Sequence, residues 1–237
     1  MVKELNWDSI FFNKKIGELL ITAESFSGIR NDIEKAKADG FKYIICKPEP
    51  QKTSLIHILE SFNFYLVDIG ITLAIETDSF LFKKHTRPPI RQSIKIAVEK
   101  DIPELKKVAR SLFMDGRFYH DPFFSRKEAD SLYQTWIENS VKGKTADIVL
   151  CIPHTGFVIC KKCEGKKGEI VLFGIRKGLR NKGIGTILME EAIKWCKTEG
   201  LATVSVRTQL RNINAMNFYL KAGFYVKEHD IVFGKIL

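Results

Sequence analysis

Gly168-Glu169-Ile170-Val171-Leu172-Phe173-Gly174-Ile175 runs on through Arg176-Lys177-Gly178-Leu179 into Arg180-Asn181-Lys182-Gly183-Ile184-Gly185-Thr186. The first segment has the apolar content of a buried strand, the second is a basic loop, and the third opens a helix. That helix follows from Ile184, Ile187, Leu188, Ala192, Trp195 and Cys196, which recur at helical spacing on one face. Gly183 and Gly185 stand at its start, where bare backbone lets a bulky anion approach the free N–H groups. The helix dipole adds positive potential, and Arg176, Lys177, Arg180 and Lys182 add more. The combination reads as a pyrophosphate cradle. No Gly-Lys-Thr/Ser follows, so it is not a P-loop, and no third glycine stands at the dinucleotide-fold spacing.

A second segment lies further on. Thr203-Val204-Ser205-Val206-Arg207-Thr208-Gln209 is a β-branched strand. It leads into Asn212-Ile213-Asn214-Ala215-Met216-Asn217-Phe218-Tyr219-Leu220-Lys221-Ala222-Gly223-Phe224, a helix that Asn212 can cap and Gly223 can end. Arg-x-x-Gly-x-Gly followed by Asn-x-x-Ala-x-x-x-Tyr-x-x-x-Gly-Phe resembles the two-part signature of the GNAT acetyltransferase superfamily. The resemblance implies an α/β (α+β) fold, a mixed central sheet flanked by helices. It also implies acetyl-CoA as acetyl donor and no metal. Phe173, Gly174 and Ile175, the cradle Arg180, Asn181, Lys182, Gly183, Ile184, Gly185 and Thr186, and Asn212 and Ala215 would then bind the donor.

Composition sets bounds on the rest. The 237 residues can bury one large core or two small ones, and 45% hydrophobic with 28% charged is ordinary for a globular protein. No apolar run is long enough to span a bilayer and the start has no signal-peptide core, so no membrane partner is expected. Five cysteines without framework spacing suggest reduced thiols and a cytoplasmic location. Cys160 and Cys163 form a lone Cys-x-x-Cys between lysines, which reads as a solvated hairpin, because a zinc knuckle needs two more ligands. The net charge is +10. The lysines are dispersed, however, so the excess suits an anionic small molecule and not a nucleic acid.

Residues 1–78 read as a first α/β unit. They give a strand at Lys15–Thr22, a helix from about Ile29 to Gly40, and a strand at Phe41–Cys46. A helix around Ser54–Phe62 follows, then two strand candidates, Asn63–Val67 and Ile71–Ile75. Helix, Asn63-Phe64-Tyr65-Leu66 and strand echo the chain's end, where helix, Gly223-Phe224-Tyr225-Val226 and strand recur. In that alignment Leu59 falls at Tyr219 and no glycine cradle precedes it. The first unit thus reads as a smaller, degenerate GNAT-like relative of the second. Residues 79–92, with Lys83, Lys84, His85, Arg87, Pro88, Pro89 and Arg91, read as a linker. Residues 93–237 are the expected catalytic domain, in the order β-α-α-β-β-β-α-β-α-β-β. Its first helix should be capped by Asp101 with Pro103 and a capping-box Glu104, its second by Ser125 with Glu128.

Acyl transfer from a thioester needs a positioned amine, donors for the developing oxyanion, and a proton for the departing sulfur. The resemblance assigns the carbonyl to backbone amides of Phe173–Ile175 and the proton to Tyr219, whose phenol can protonate a thiolate. The base is left between Glu169 and water. For the acceptor, Phe113-Met114-Asp115-Gly116-Arg117-Phe118-Tyr119-His120-Asp121-Pro122-Phe123-Phe124 joins cationic, aromatic and hydrogen-bonding groups in one turn. Arginine for phosphate and aromatics for a base or sugar face suit a nucleotide-sugar. Whether Phe123 and Phe124 face the acceptor or the core stays open. Arg117-Phe118-Tyr119 before Gln134-Thr135-Trp136-Ile137-Glu138-Asn139, with Thr208-Gln209 ahead of Asn212, resembles the TDP-fucosamine acetyltransferase group. That likeness implies acetylation of the 4-amino group of a dTDP-4-amino-4,6-dideoxyhexose, with Arg117, Phe118, Tyr119, Arg207 and Gln209 toward the acceptor and a homodimer as assembly. Acetylation of a protein amino terminus, lysine or polyamine, or a silent acetyl-CoA-binding module, are the alternatives.

Overall fold

The computed structural model describes residues 1–21, 25–81, 94–110 and 112–237. Thr22 and residues 82–92 of the expected linker therefore lie outside the described residues. Ten strands form one mixed sheet in the order β1-β2-β3-β10-β4-β9-β8-β7-β6-β5. They are β1 (Val2–Glu4), β2 (Ile16–Leu19), β3 (Tyr43–Cys46), β4 (Tyr65–Glu76), β5 (Lys95–Ile96), β6 (Ile148–Ile152), β7 (Gly156–Cys163), β8 (Lys167–Ile175), β9 (Thr203–Gln209) and β10 (Tyr225–Ile236). The helices are α1 (Asn6–Phe12), α2 (Phe26–Ala38), α3 (Thr53–Ser61), α4 (Ile102–Ala109), α5 (Arg117–His120), α6 (Arg126–Val141), α7 (Ile184–Thr198) and α8 (Ile213–Lys221).

Period-two alternation sends successive strand residues to opposite faces. Tyr43, Ile45, Phe157 and Ile159 join Phe12, Leu105 and Leu132 under α1, α4 and α6. Val158, Cys160, Leu73 and Ile75 join Leu188, Ile193 and Tyr219 under α7 and α8. Ile44 and Cys46 join Ile33 and Leu59 under α2 and α3. The sheet is thus covered on both faces.

The echo between the two halves extends to backbone hydrogen bonds. Gly40 and Gly200, each at positive φ, end α2 and α7, and the next N–H returns to the helix in both: Phe41 to Ala36 and Leu201 to Cys196. Asn63 and Gly223 end α3 and α8 in the same left-handed conformation, and Phe64 and Phe224 donate back to Leu59 and Tyr219. Each half's last strand has left its own half. β4 lies between β9 and β10, pairing Gly70 with Gln209 and Glu76 with Thr203. β10 lies between β4 and β3, pairing Phe233 with Cys46. The halves have exchanged strands reciprocally, and β4 and β10, twelve residues each, pair antiparallel from Tyr65–Gly234 to Ala74–Tyr225.

Several local expectations change. The two strand candidates at 63–67 and 71–75 are one strand, because the long β10 pairs across Asp68–Gly70. The expected terminal strand pair is likewise the single β10. α2 starts earlier than Ile29, since the Ser25 hydroxyl accepts from Gly28 N–H. β1 and α1 lie ahead of the expected strand at Lys15–Thr22. α5 is an additional turn between α4 and α6. Ser125 and Glu128 form the expected capping box on α6. Asp101 does not cap α4; its carboxyl accepts from Val98 N–H and pairs with Lys95, while Glu104 pairs with His154. Cys160 is buried, not on a solvated hairpin, and only Cys163 of the pair is exposed.

Candidate active site

β8 and β9 are parallel neighbours only from Lys167–Thr203 to Ile170–Val206, and both strands continue beyond the last paired residues. Along the rest of β8 the other edge stays bonded to β7 as far as Ile175. Alternate N–H and C=O groups of residues 171–175 therefore face the gap between the diverging strands. Phe173, Gly174 and Ile175 lie there. Gly174 leaves room for the turn after α4, since a Cβ would meet Leu112 Cδ1 at 2.7 Å.

The loop after β8 is folded by its own residues. Arg180 Nε donates to Ile175 O at 3.1 Å, and Gly178, Asn181 and Gly183 all take positive φ. Gly183 is the N-cap of α7 at φ 78°, and no side chain caps the helix. The first-turn N–H groups of Ile184, Gly185 and Thr186 are thus open donors, beside exposed Arg176, Lys177, Arg180 and Lys182. Gly185 has a packing role that sequence reasoning missed: a Cβ would meet Phe218 at 3.3 Å and Phe173 at 3.5 Å. Its missing side chain brings α7 close to β8 and α8. Asn212 caps α8, its Oδ1 accepting from Ala215 N–H at 3.2 Å.

A cleft of about 980 Å³ opens on the α4–α6 side of the gap. Phe173, Asn212, Ala215, Tyr219, Arg117, Phe118, Arg207 and Gln209 all line it. Tyr219 is buried at 5% exposure, and burial, reinforced by Cys160, pushes its phenol well above the usual range. The group stays protonated at neutral pH. Arg207 pairs with Asp230 on β10, and its guanidinium lies over Gly70, where a Cβ would meet it at 1.9 Å. Glu169 is also on the wall, four residues before Phe173 and near Cys163.

Tyr119 is placed differently. Its hydroxyl donates to Asp130 at 2.6 Å and its ring stacks on Tyr133, so it braces a lining residue. Phe124 belongs to the core, and Phe123 stacks on Tyr43.

The first half contributes lining residues that carry no site role in the sequence reading: Trp7, Asp8, Glu18, Lys47 and Asp68. Asp68 is 2% exposed, its Oδ1 accepts no hydrogen bond among the described residues, and Arg211 Nη2 lies 3.6 Å away. Burial raises its carboxyl above the usual value, with Arg211 opposing. A carboxyl so raised holds and releases a proton nearer neutrality. The one sequence signal for it was an acid breaking the apolar run Tyr65–Ile75.

Residues 112–224 match the model of the acetyltransferase (GNAT) family. The chain is 24% identical over 231 residues to the dTDP-fucosamine acetyltransferase of Escherichia coli O6:H1, covering 95% of this chain and 94% of that one. It is also 24% identical over 231 residues to the spore coat polysaccharide biosynthesis protein SpsD of Bacillus subtilis, covering 94% and 78%. A GCN5-related N-acetyltransferase from Sphaerobacter thermophilus shares the fold, with a TM-score of 0.63 at 15% identity. The match covers 88% of this chain and 66% of that one.

Proposed function

We propose that this chain, an acyltransferase with a GNAT acetyltransferase domain, acetylates the 4-amino group of a dTDP-4-amino-4,6-dideoxyhexose, in the cytoplasm, by direct attack of the amine on the thioester of acetyl-CoA. The GNAT family uses acetyl-CoA, and the residues present fit it. The uncapped α7 with Gly183 at positive φ suits a pyrophosphate, and the free edge of residues 171–175 suits an amide-bearing chain. When bound, that donor supplies an activated acetyl group.

The chain's own residues divide the remaining work. Those backbone N–H groups of Phe173–Ile175 that face the gap are fixed donors for charge developing on a carbonyl oxygen. Tyr219 holds a proton for a departing thiolate. Asp68, whose Oδ1 accepts no hydrogen bond among the described residues and whose carboxyl is raised, takes the proton from the acceptor amine, a role we prefer over Glu169. Arg117 and Lys47 bring positive charge for a diphosphate, and Trp7, Phe118 and Trp136 bring apolar faces for a sugar or base.

The observation that carries this reading is the joining of Tyr219 and the open edge of β8 to a cleft with both cations and aromatic faces. The two long relatives support a sugar acceptor by what their names say of them. The test incubates the protein with acetyl-CoA and a panel of dTDP-4-amino-4,6-dideoxyhexoses, beside peptide and polyamine controls, with products weighed by mass spectrometry. A gain of one acetyl on a dTDP-sugar is expected. Acetylated peptide or polyamine with no acetylated sugar would overturn the acceptor.

A further inference from the structure

α5 presents Arg117 and Phe118 to the cleft, yet it is one turn of four residues with no side-chain cap. A helix this short does not hold its own shape in water, because nucleation is costly. Its position must come from tertiary contacts at its two ends. At the start, Gly116 lies against the Tyr133 hydroxyl so closely that a Cβ would come within 2.0 Å of it. Tyr133 is itself stacked between Phe113 and Tyr119.

The other end is held from the first half of the chain. Asp121 follows α5 directly and is 3% exposed. Its Oδ2 accepts from the Tyr43 hydroxyl, while its Oδ1 accepts from the Tyr65 hydroxyl at 2.9 Å and from Phe123 N–H at 3.0 Å. Tyr43 lies on β3 and Tyr65 starts β4. The Tyr43 ring also stacks on Phe123 at 4.4 Å and 10°. Gly234 on β10 leaves the room for this phenol, since a Cβ there would meet the Tyr43 oxygen at 2.1 Å. Two strands thus converge on one carboxyl while a third leaves room for them, and the apolar side of α5 packs on the first half through Phe118 and Phe12.

We propose that Asp121, held by Tyr43 and Tyr65, is a positioning residue through which the first half sets Arg117 for the acceptor. A buried carboxyl that loses one donor is strongly disfavoured, so either phenol's removal shifts the residue and the turn it terminates. The first half, which lacks a glycine cradle of its own, then acts on the acceptor and not on the donor.

The proposal rests on the reading that the cleft beside Arg117 takes the acceptor. The test is a double-mutant cycle in the full chain, with Tyr43→Phe, Arg117→Ala and both together, plus the same cycle with Tyr65→Phe. The acceptor is whichever amine the mass-spectrometric panel finds acetylated, so loss of the sugar reading would leave this test intact. Tyr43→Phe should raise the acceptor KM about tenfold, leave acetyl-CoA affinity unchanged, and have no further effect in the Arg117→Ala background. Amide exchange at residues 117–124 should also quicken. An unchanged acceptor KM, an equal effect with Arg117 already removed, or a parallel loss for both substrates would overturn the clamp. If Tyr43→Phe fails to fold, the half-buried Tyr65→Phe cycle decides by the same criteria.

Discussion

Tyr219 and Asp68 are both buried ionisable groups on the wall of one cleft, and burial moves both pKa values upward. For the phenol this keeps a proton available throughout the neutral range. Tyr219→Phe should therefore lower turnover about a hundredfold while acetyl-CoA affinity, measured by calorimetry, stays at the wild-type value. Wild-type turnover would remove Tyr219 from the acid role. For the carboxyl the consequence is opposite in kind. The folded chain binds the Asp68 proton more tightly than the unfolded chain does, so stability is lost as pH rises from the ordinary value of 3.8 through the raised one. Above the raised value the ionised group thus costs stability. Asp68→Asn should lower kcat/KM about a hundredfold and abolish the acidic limb of its pH profile, without lowering the melting temperature. A melting temperature that falls with the rate would mark Asp68 as structural. Tyr219 was legible because it sits in a local motif. Asp68 was not, because its burial and its proximity to Arg211 depend on strands far apart in sequence.

The cradle and strand β4 show the same contrast between elements. Gly183 opens α7 at φ 78°, where only glycine is unstrained. Gly183→Glu adds strain, bulk and a negative charge at the helix start, and acetyl-CoA binding measured by calorimetry should be lost. Such a glycine can be read locally, because cap, dipole and basic loop are all within a few residues. Gly70 cannot be read in this way. Within β4 it looks like a weak point that divides two strands, yet in the sheet it is the surface over which Arg207 lies. Gly70→Ala displaces the end of a flexible side chain, not backbone. The unfolding midpoint should change little, within about 1 kcal/mol of wild type, while the acceptor KM rises several-fold. If the KM does not move, Arg207 has no part in acceptor binding.

At the scale of the molecule, the reciprocal strand exchange joins the halves into one sheet. Without residues 1–78, β9 and β10 lose the strand between them, and without residues 93–237, β3 loses the partner that β10 provides. Neither segment expressed alone should unfold cooperatively on heating, whereas the two co-expressed should assemble and recover activity. Independent cooperative unfolding of either segment would contradict this. The sequence by itself determined the strand-loop-helix units, the glycines at the start of α7, the Asn212 cap and the Gly223 stop. Each follows from φ preferences, capping and periodicity over fewer than a dozen residues or so. The tertiary structure alone decided that β4 is one strand between β9 and β10, and that Asp68 and Arg117 share a cleft with Tyr219. It also decided that Tyr119 braces the cleft wall. Those outcomes depend on which strand edges meet, and an unpaired edge carries no local mark of its partner.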